Sequence, residues 1–349
     1  MSSPGTTGTT GTTGTTGTTG LADEPAYGWV VVGACFVALG VIFGASYSFA
    51  AFFESFAREF GASRAQVSLV FGWCGLVYFT AGALGGMLAD RFGPRAVTSA
   101  GMVCMASALL AGSFATSMAQ VTLAYGVVLG LGIALVYTPA IGCVQPWFTR
   151  RRGLAAGIAS AGIGAGTLVV PLLLSAAIAQ WQWRQPSWAL AAGVLVLGLG
   201  ATLLLRRAPA ATARAGAAVA GHTLGQAMRS RPFIGMYLMC LFGAPSMFVP
   251  FAHLSASARD MGIADAQAVG LVGLIGIGSL TGRFAIGTLA DRIGRPWTLV
   301  GVMASLGLSL LLWLWAPGYA ALAVFALWMG VSYGGSVSLM PALCMDFFG

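Results

Sequence analysis

The sequence predicts an all-α membrane protein made of two related halves and reaching about ten transmembrane helices. Three observations carry this reading. Of 349 residues, 58% are hydrophobic and only 7% charged, whereas a soluble domain carries about 25% charged residues. Apolar stretches follow one another along the chain, each close to the roughly 20 residues that a spanning helix needs. One of these stretches, with the turn behind it, recurs later in the chain.

The composition excludes a water-soluble globular enzyme, because so little charge cannot cover a solvated surface. It also excludes disorder for most of the chain, which would need low hydrophobicity and high charge. All 17 basic residues are Arg, and the net charge is +8. They are dispersed without a basic, aromatic-interleaved cluster, so no nucleic-acid partner is expected. The six cysteines lie in apolar runs without metal-ligand spacing and read as small, free, buried hydrophobes. No cofactor or metal is expected.

In chain order, residues 1–26 form a tail whose PGTTG-type repeats have no apolar content and predict disorder. The tail lacks the basic start and apolar middle of a signal peptide. Helices are expected over 27–53, 66–89, 96–115, 119–142, 154–179 and 187–205, a six-helix half spanning 27–205. A polar, Arg-containing linker over 206–231 follows. Four more helices, over 232–256, 267–289, 297–315 and 319–343, make a partial second half within 232–349.

Placing the N-terminus in the cytoplasm puts twelve Arg in inside loops (Arg91, Arg95, Arg150, Arg151, Arg152, Arg206, Arg207, Arg214, Arg229, Arg231, Arg292 and Arg295). Four lie outside (Arg58, Arg64, Arg184 and Arg259), which is a positive-inside bias. One remains, Arg283, within a span. A bacterial inner membrane is the expected location. The 51 glycines suit close helix packing; the run Gly157 to Gly166 is no phosphate loop, since no strand precedes it and no GK[ST] follows.

Residues 61–91 align with 262–292 without a gap, at an offset of 201. Gly86-x-Leu88-Ala89-Asp90-Arg91-x-Gly93 matches Gly287-x-Leu289-Ala290-Asp291-Arg292-x-Gly294. An offset of about six spans keeps the membrane orientation of both copies the same, the parallel repeat of secondary transporters.

This GxLADRxGxR turn, echoed as GxLADRxG in the second copy, resembles the signature loop of the major facilitator superfamily. A second set narrows the likeness: Tyr27-Gly28-Trp29 opening the first helix, Tyr137-Thr138-Pro139 closing the fourth, and Trp147-Phe148-Thr149-Arg150-Arg151-Arg152-Gly153-Leu154 leading into the fifth. Together these resemble the monocarboxylate porters and the oxalate–formate antiporters over about residues 27–349. The resemblance implies a major facilitator fold of twelve helices, so a chain with ten reads as truncated. It also implies alternating-access transport of a small carboxylate such as lactate, pyruvate, oxalate or formate, by proton symport or anion exchange. Two alternatives stay open: a facilitator of a neutral solute, and a non-transporting sensor or assembly subunit. Oligomeric state is left open, and a catalytic role is not expected.

A charge at the centre of a span costs about 2.5–3.5 kcal/mol on insertion scales, so Arg283 is expected to face a cavity or partner. The competing reading is snorkelling, because Arg283 lies about 10 Å from the nearer helix end at 1.5 Å per residue. Its repeat counterpart is Gly82, so the motif itself needs no cation there, and Ser279 rather than an acid stands one turn away. A guanidinium fork matches a carboxylate, and the resembling families place a carboxylate-binding Arg at the matching position. Tyr47, Tyr125, Tyr333 and Ser279 are candidate cavity-lining groups, with Tyr137 read as more structural. His253 is a candidate proton site or a structural residue. Asp90, Arg91, Arg95, Asp291, Arg292 and Arg295 are gating loops by resemblance, or simple stop-transfer charge.

Overall fold

The computed structural model describes residues 25–148, 152–209 and 224–348. The predicted tail up to residue 24, Arg150, Arg151 and Arg214 lie outside the described residues. Within them the secondary structure is helical, and ten helices are long and apolar enough to cross a membrane. They are α1 (Ala26–Phe60), α2 (Arg64–Phe92), α3 (Pro94–Ser113), α4 (Met118–Trp147), α5 (Arg152–Trp181), α6 (Arg184–Leu203), α7 (Arg231–Asp260), α8 (Asp265–Ile293), α9 (Arg295–Leu314) and α10 (Tyr319–Phe348).

Local chemistry explains the boundaries. Ser63 and Gln66 form a reciprocal capping box at the start of α2: the Gln66 amide donates to Ser63 Oγ, and the Ser63 amide donates to Gln66 Oε1 at 2.8 Å. The copied turns end α2 and α8 at Gly93 and Gly294, with φ of 91° and 96°. A side chain there would be strained, and Pro94 and Pro296 then restart the helix with a pre-set φ. The two copies, α2 and α8, are both 29 residues long.

Two expectations change. The first helix runs on to Phe60 rather than stopping at 53, with an interruption at Ser48 whose hydroxyl bonds back to the Gly44 carbonyl at 2.6 Å. Such back-bonding bends helices. The fourth helix, expected over 119–142, runs through Pro139 to Val144 and ends in a short 3₁₀ turn at Gln145–Trp147. Membrane helices tolerate such a proline because neighbouring groups satisfy the freed carbonyl. The cysteines are free, as expected, but only Cys35, Cys74 and Cys143 are buried; Cys104 and Cys240 are half-buried and Cys344 is exposed.

In a bilayer, helix association depends on close packing rather than on the hydrophobic effect. Here glycine supplies it. Gly40 and Gly44 of α1 meet Gly162 and Gly166 of α5 so closely that a Cβ on Gly166 would lie 1.9 Å from the Gly40 carbonyl oxygen. Gly278 and Gly282 of α8 cross Gly330 and Gly334 of α10 in the same way. Gly164 of α5 and Gly276 of α8 touch backbone to backbone, joining the first six helices to the last four.

Arg184, at the start of α6, pairs with Glu59 at the end of α1 and donates to the carbonyl of Ser113 at 2.8 Å; Trp183 Nε1 donates to the other Glu59 oxygen. Glu59→Gln should weaken this clamp and lower thermal stability by about 1 kcal/mol, the scale of a partly exposed charged hydrogen bond. A melt unchanged from the parent would contradict it.

Candidate functional site

Arg283 sits on α8, one turn from Ser279. Its residue exposure is 3%, so it does not snorkel to a surface. The Gly278/Gly282 face of α8 lies flush on α10, and Leu280 packs at Gly164 of α5. The guanidinium makes one long contact, Nη2 donating to Ser279 Oγ at 3.4 Å. Its Nε and Nη1 are buried without a partner. Three of its five N–H groups belong to those two nitrogens. Those three N–H groups, with the Nη2 hydrogen that Ser279 does not take, are the donors left for an anion.

Tyrosines surround it. Tyr47, Tyr137 and Tyr333 interact electrostatically with the guanidinium, and they come from α1, α4 and α10. The hydroxyls of Tyr47 and Tyr333 are hydrogen-bonded to each other at 2.8 Å. Phe251 of α7 stacks on Tyr47 with ring centres 3.8 Å apart and 5° between planes. It also meets Tyr333 edge-on at 5.4 Å. On the other flank Tyr78 of α2 stands perpendicular to Tyr137, with centres 5.6 Å apart. Tyr47 and Tyr333 are buried, whereas Tyr78 and Tyr137 are half-buried. An unpartnered cation walled by hydroxyl-bearing rings binds an anion well: the fork supplies charge and two donors, and each tyrosine adds a rotatable O–H.

Arg283, Ser279, Tyr47 and Tyr333 are thus brought together. Tyr125 does not join them. It belongs to a π-helical stretch of α4 (Thr122–Val128), its ring packs on Gly112, and its hydroxyl bonds Ser187 Oγ at 3.0 Å. Tyr125→Phe should cost about 1 kcal/mol of stability, the ordinary worth of one hydrogen bond, and leave substrate affinity unchanged. A change in KM would return Tyr125 to the site. His253 also stands apart, half-buried on α7 with its ring 6.3 Å from Phe53.

The residues of the two copied turns make local contacts. Asp90 receives a hydrogen bond from Arg207 on its backbone carbonyl, and so does Ala89 at 2.8 Å. Arg91 lies over Phe92, and Arg95 and Arg292 are exposed. Arg295 Nη1 donates to both carboxylate oxygens of Asp346 at 2.7 Å, which ties α9 to α10. Asp291 follows Ala290 on α8.

Sequence reasoning missed Tyr78, Phe43 and Phe251. Phe43 packs perpendicular to both Tyr78 and Tyr137. One signal was available for Tyr78: the repeat offset maps Ser279 onto Tyr78, just as it maps Arg283 onto Gly82. The position one turn from the cation in one copy holds, in the other, a tyrosine of the same aromatic cluster.

Comparison with known proteins agrees with this architecture. The family model described as the Major Facilitator Superfamily matches residues 34–349. Monocarboxylate transporter 13 of Bos taurus is 31% identical over 291 residues, covering 81% of this chain and 68% of the relative. Monocarboxylate transporter 3 of Rattus norvegicus is 30% identical, covering 89% of this chain and 66% of the relative. A fungal protein, MFS-type transporter 1 of an Ophiocordyceps strain, is 27% identical over 90% of this chain and 70% of its own length. The chain thus spans about two thirds of the length of these relatives. Its ten apolar helices make it an integral, multi-pass membrane protein, and it belongs to the Major Facilitator Superfamily, as a transporter rather than an enzyme that resembles the monocarboxylate porters.

Proposed function

We propose that the protein carries small carboxylates, of the monocarboxylate or short dicarboxylate class, by alternating access, with Arg283 holding the carboxylate and the Tyr47–Tyr333 hydroxyls completing its hydrogen bonds. The observation that carries this reading is the pair of buried, unpartnered nitrogens on Arg283. A guanidinium withdrawn from water is costly unless a counter-charge meets it. The names of the mammalian relatives support a monocarboxylate.

The charge also favours exchange over proton symport through a protein acid. Among the described residues Arg283 forms no ion pair, and its electrostatic neighbours are tyrosines. Moving the empty site through the low-dielectric middle of the membrane carries a bare cation, whereas a bound monocarboxylate neutralises it. The Arg distribution supports a cytoplasmic N-terminus, with the copied turns and the linker on that side. The helices group as a six-helix half followed by four helices that begin the second.

The test uses the full chain in proteoliposomes with labelled lactate, pyruvate, oxalate and formate. The expected result is uptake that rises when unlabelled carboxylate is preloaded inside. Uptake driven by a pH gradient and indifferent to preloading would replace exchange with symport. Flux of neutral solutes only, or binding without flux, would overturn the carboxylate reading.

A further inference from the structure

At the end of the bundle where α2 begins, the two groups of helices are joined across their interface. Arg64, the first residue of α2, makes a two-pronged ion pair with Asp260, the last residue of α7: Nη1 donates to Oδ2 and Nη2 to Oδ1. One layer deeper, Phe53 of α1 faces His253 of α7. Deeper still, Phe251 lies flat on Tyr47, and the Tyr47–Tyr333 hydrogen bond links α1 to α10. These layers lie between that end and Arg283.

At the opposite end the described ion pairs and hydrogen bonds include two that tie neighbours together. Arg295 bonds Asp346 within the last four helices, and Arg207 bonds the end of α2. Gly82 and Gly86 approach only Thr138 of α4, and a Cβ on Gly287 of α8 would meet nothing within 4 Å. Tyr78 and Tyr137, on this flank of Arg283, are only half-buried.

The duplication explains why the bond crosses. At the offset of 201, Arg58-Glu59 corresponds to Arg259-Asp260, and Arg64 corresponds to Asp265. In the second copy Arg259 pairs with Asp265 locally. The equivalent pair in the first copy is Arg58 and Arg64, two cations that cannot bond. Arg64 reaches across to Asp260 instead, while Glu59, the counterpart of Asp260, is taken by Arg184 and Trp183. One inverted charge thus turns a local cap into a bond between the halves.

We propose that Arg64 and Asp260, backed by the Phe53–His253 and Tyr47–Phe251–Tyr333 layers, form the gate that closes the Arg283 site to this face of the membrane. They must part for the site to open there. The ion pair is exposed, and such pairs are weak, which suits a bond that breaks in every cycle. The proposal rests on the alternating-access reading, but its test needs no substrate.

A cysteine is placed at Thr138, on the far side of the layers, and a membrane-impermeant thiol reagent is applied from the Arg64 face to the full chain in sealed vesicles. The same chain with Thr138 intact is the blank for the native cysteines. Thr138→Cys should label slowly. Adding Arg64→Asp should speed labelling roughly five-fold, the factor available from an ion pair at the top of its surface range. The reciprocal swap, Arg64→Asp with Asp260→Arg, should return the slow rate, and that recovery excludes misfolding as the cause. Unchanged labelling with Arg64→Asp, or fast labelling that the swap does not reverse, would overturn the gate. Faster labelling in a protein that moves no carboxylate would keep the gate and discard the substrate.

Discussion

Replacing Arg283 with Ala is expected to reduce carboxylate transport, measured as kcat/KM, by roughly 30-fold to more than 1,000-fold. That range corresponds to the 2–5 kcal/mol typical of deleting one partner from a buried, hydrogen-bonded charge pair. Arg283→Lys keeps the charge but loses the planar fork. It should fall between the parent and Ala, with a larger loss in affinity than in turnover. A packed apolar side chain at the same position has an opposite expected effect on stability. Arg283 is buried with Nε and Nη1 unpartnered, so the apolar Arg283→Met should melt at a higher temperature than the parent. Replacing buried ionic groups with packed apolar ones is often stabilising by about 1–4 kcal/mol. Lost transport with a raised melting temperature is the signature of a binding cation. Intact transport would remove Arg283 from the site, and a lowered melting temperature would mark it as structural.

Gly334→Ala is expected to be among the most damaging single methyl groups near the site. A Cβ there would lie 2.1 Å from the carbonyl oxygen of Ser279, which no backbone contact allows. The α8–α10 crossing must widen, and Ser279 and Arg283 move with it. Overpacking of this kind costs about 1–3 kcal/mol, occasionally more, so both thermal stability and transport should drop. Gly301→Ala, on α9, is the matched control. Nothing lies within 4 Å of a Cβ there, and the helical propensity of Ala over Gly should make it neutral or stabilising by up to about 1 kcal/mol. Equal melting temperatures for the two variants would show that the crossing is not held by glycine contact.

Much of this was legible along the chain. The membrane class follows from composition, since transfer of apolar side chains into lipid depends on residue identity and run length, not on neighbours. The duplication of α2 and α8 was readable because it preserves residue identities at a constant offset, and both glycine turns indeed carry the same positive φ. Arg283 stood out because it is the one basic residue that falls within a predicted span.

The tyrosines were not separable in this way. Tyr47, Tyr125 and Tyr333 are alike as residues in apolar helices, yet Tyr47 and Tyr333 bond each other across the interface and Tyr125 turns to Ser187. Which of them reaches the cation depends on how each helix is rotated about its axis. Glycine-to-backbone contacts between remote helices settle that rotation. The charged turns show the same division. Asp90-Arg91 and Asp291-Arg292 were conspicuous as motifs, but the ion pair that crosses the interface joins Arg64 to Asp260, residues whose roles depend on a single inverted charge in the repeat.

By itself the sequence determined the membrane-embedded helical class, the order of the spans, the internal repeat and the one intramembrane cation, because each depends on residue identity along the chain. Only the tertiary structure decided which hydroxyls surround that cation, and at which end the halves are held together. Those depend on the rotation and crossing of helices far apart in sequence, which close glycine packing sets and no local pattern records.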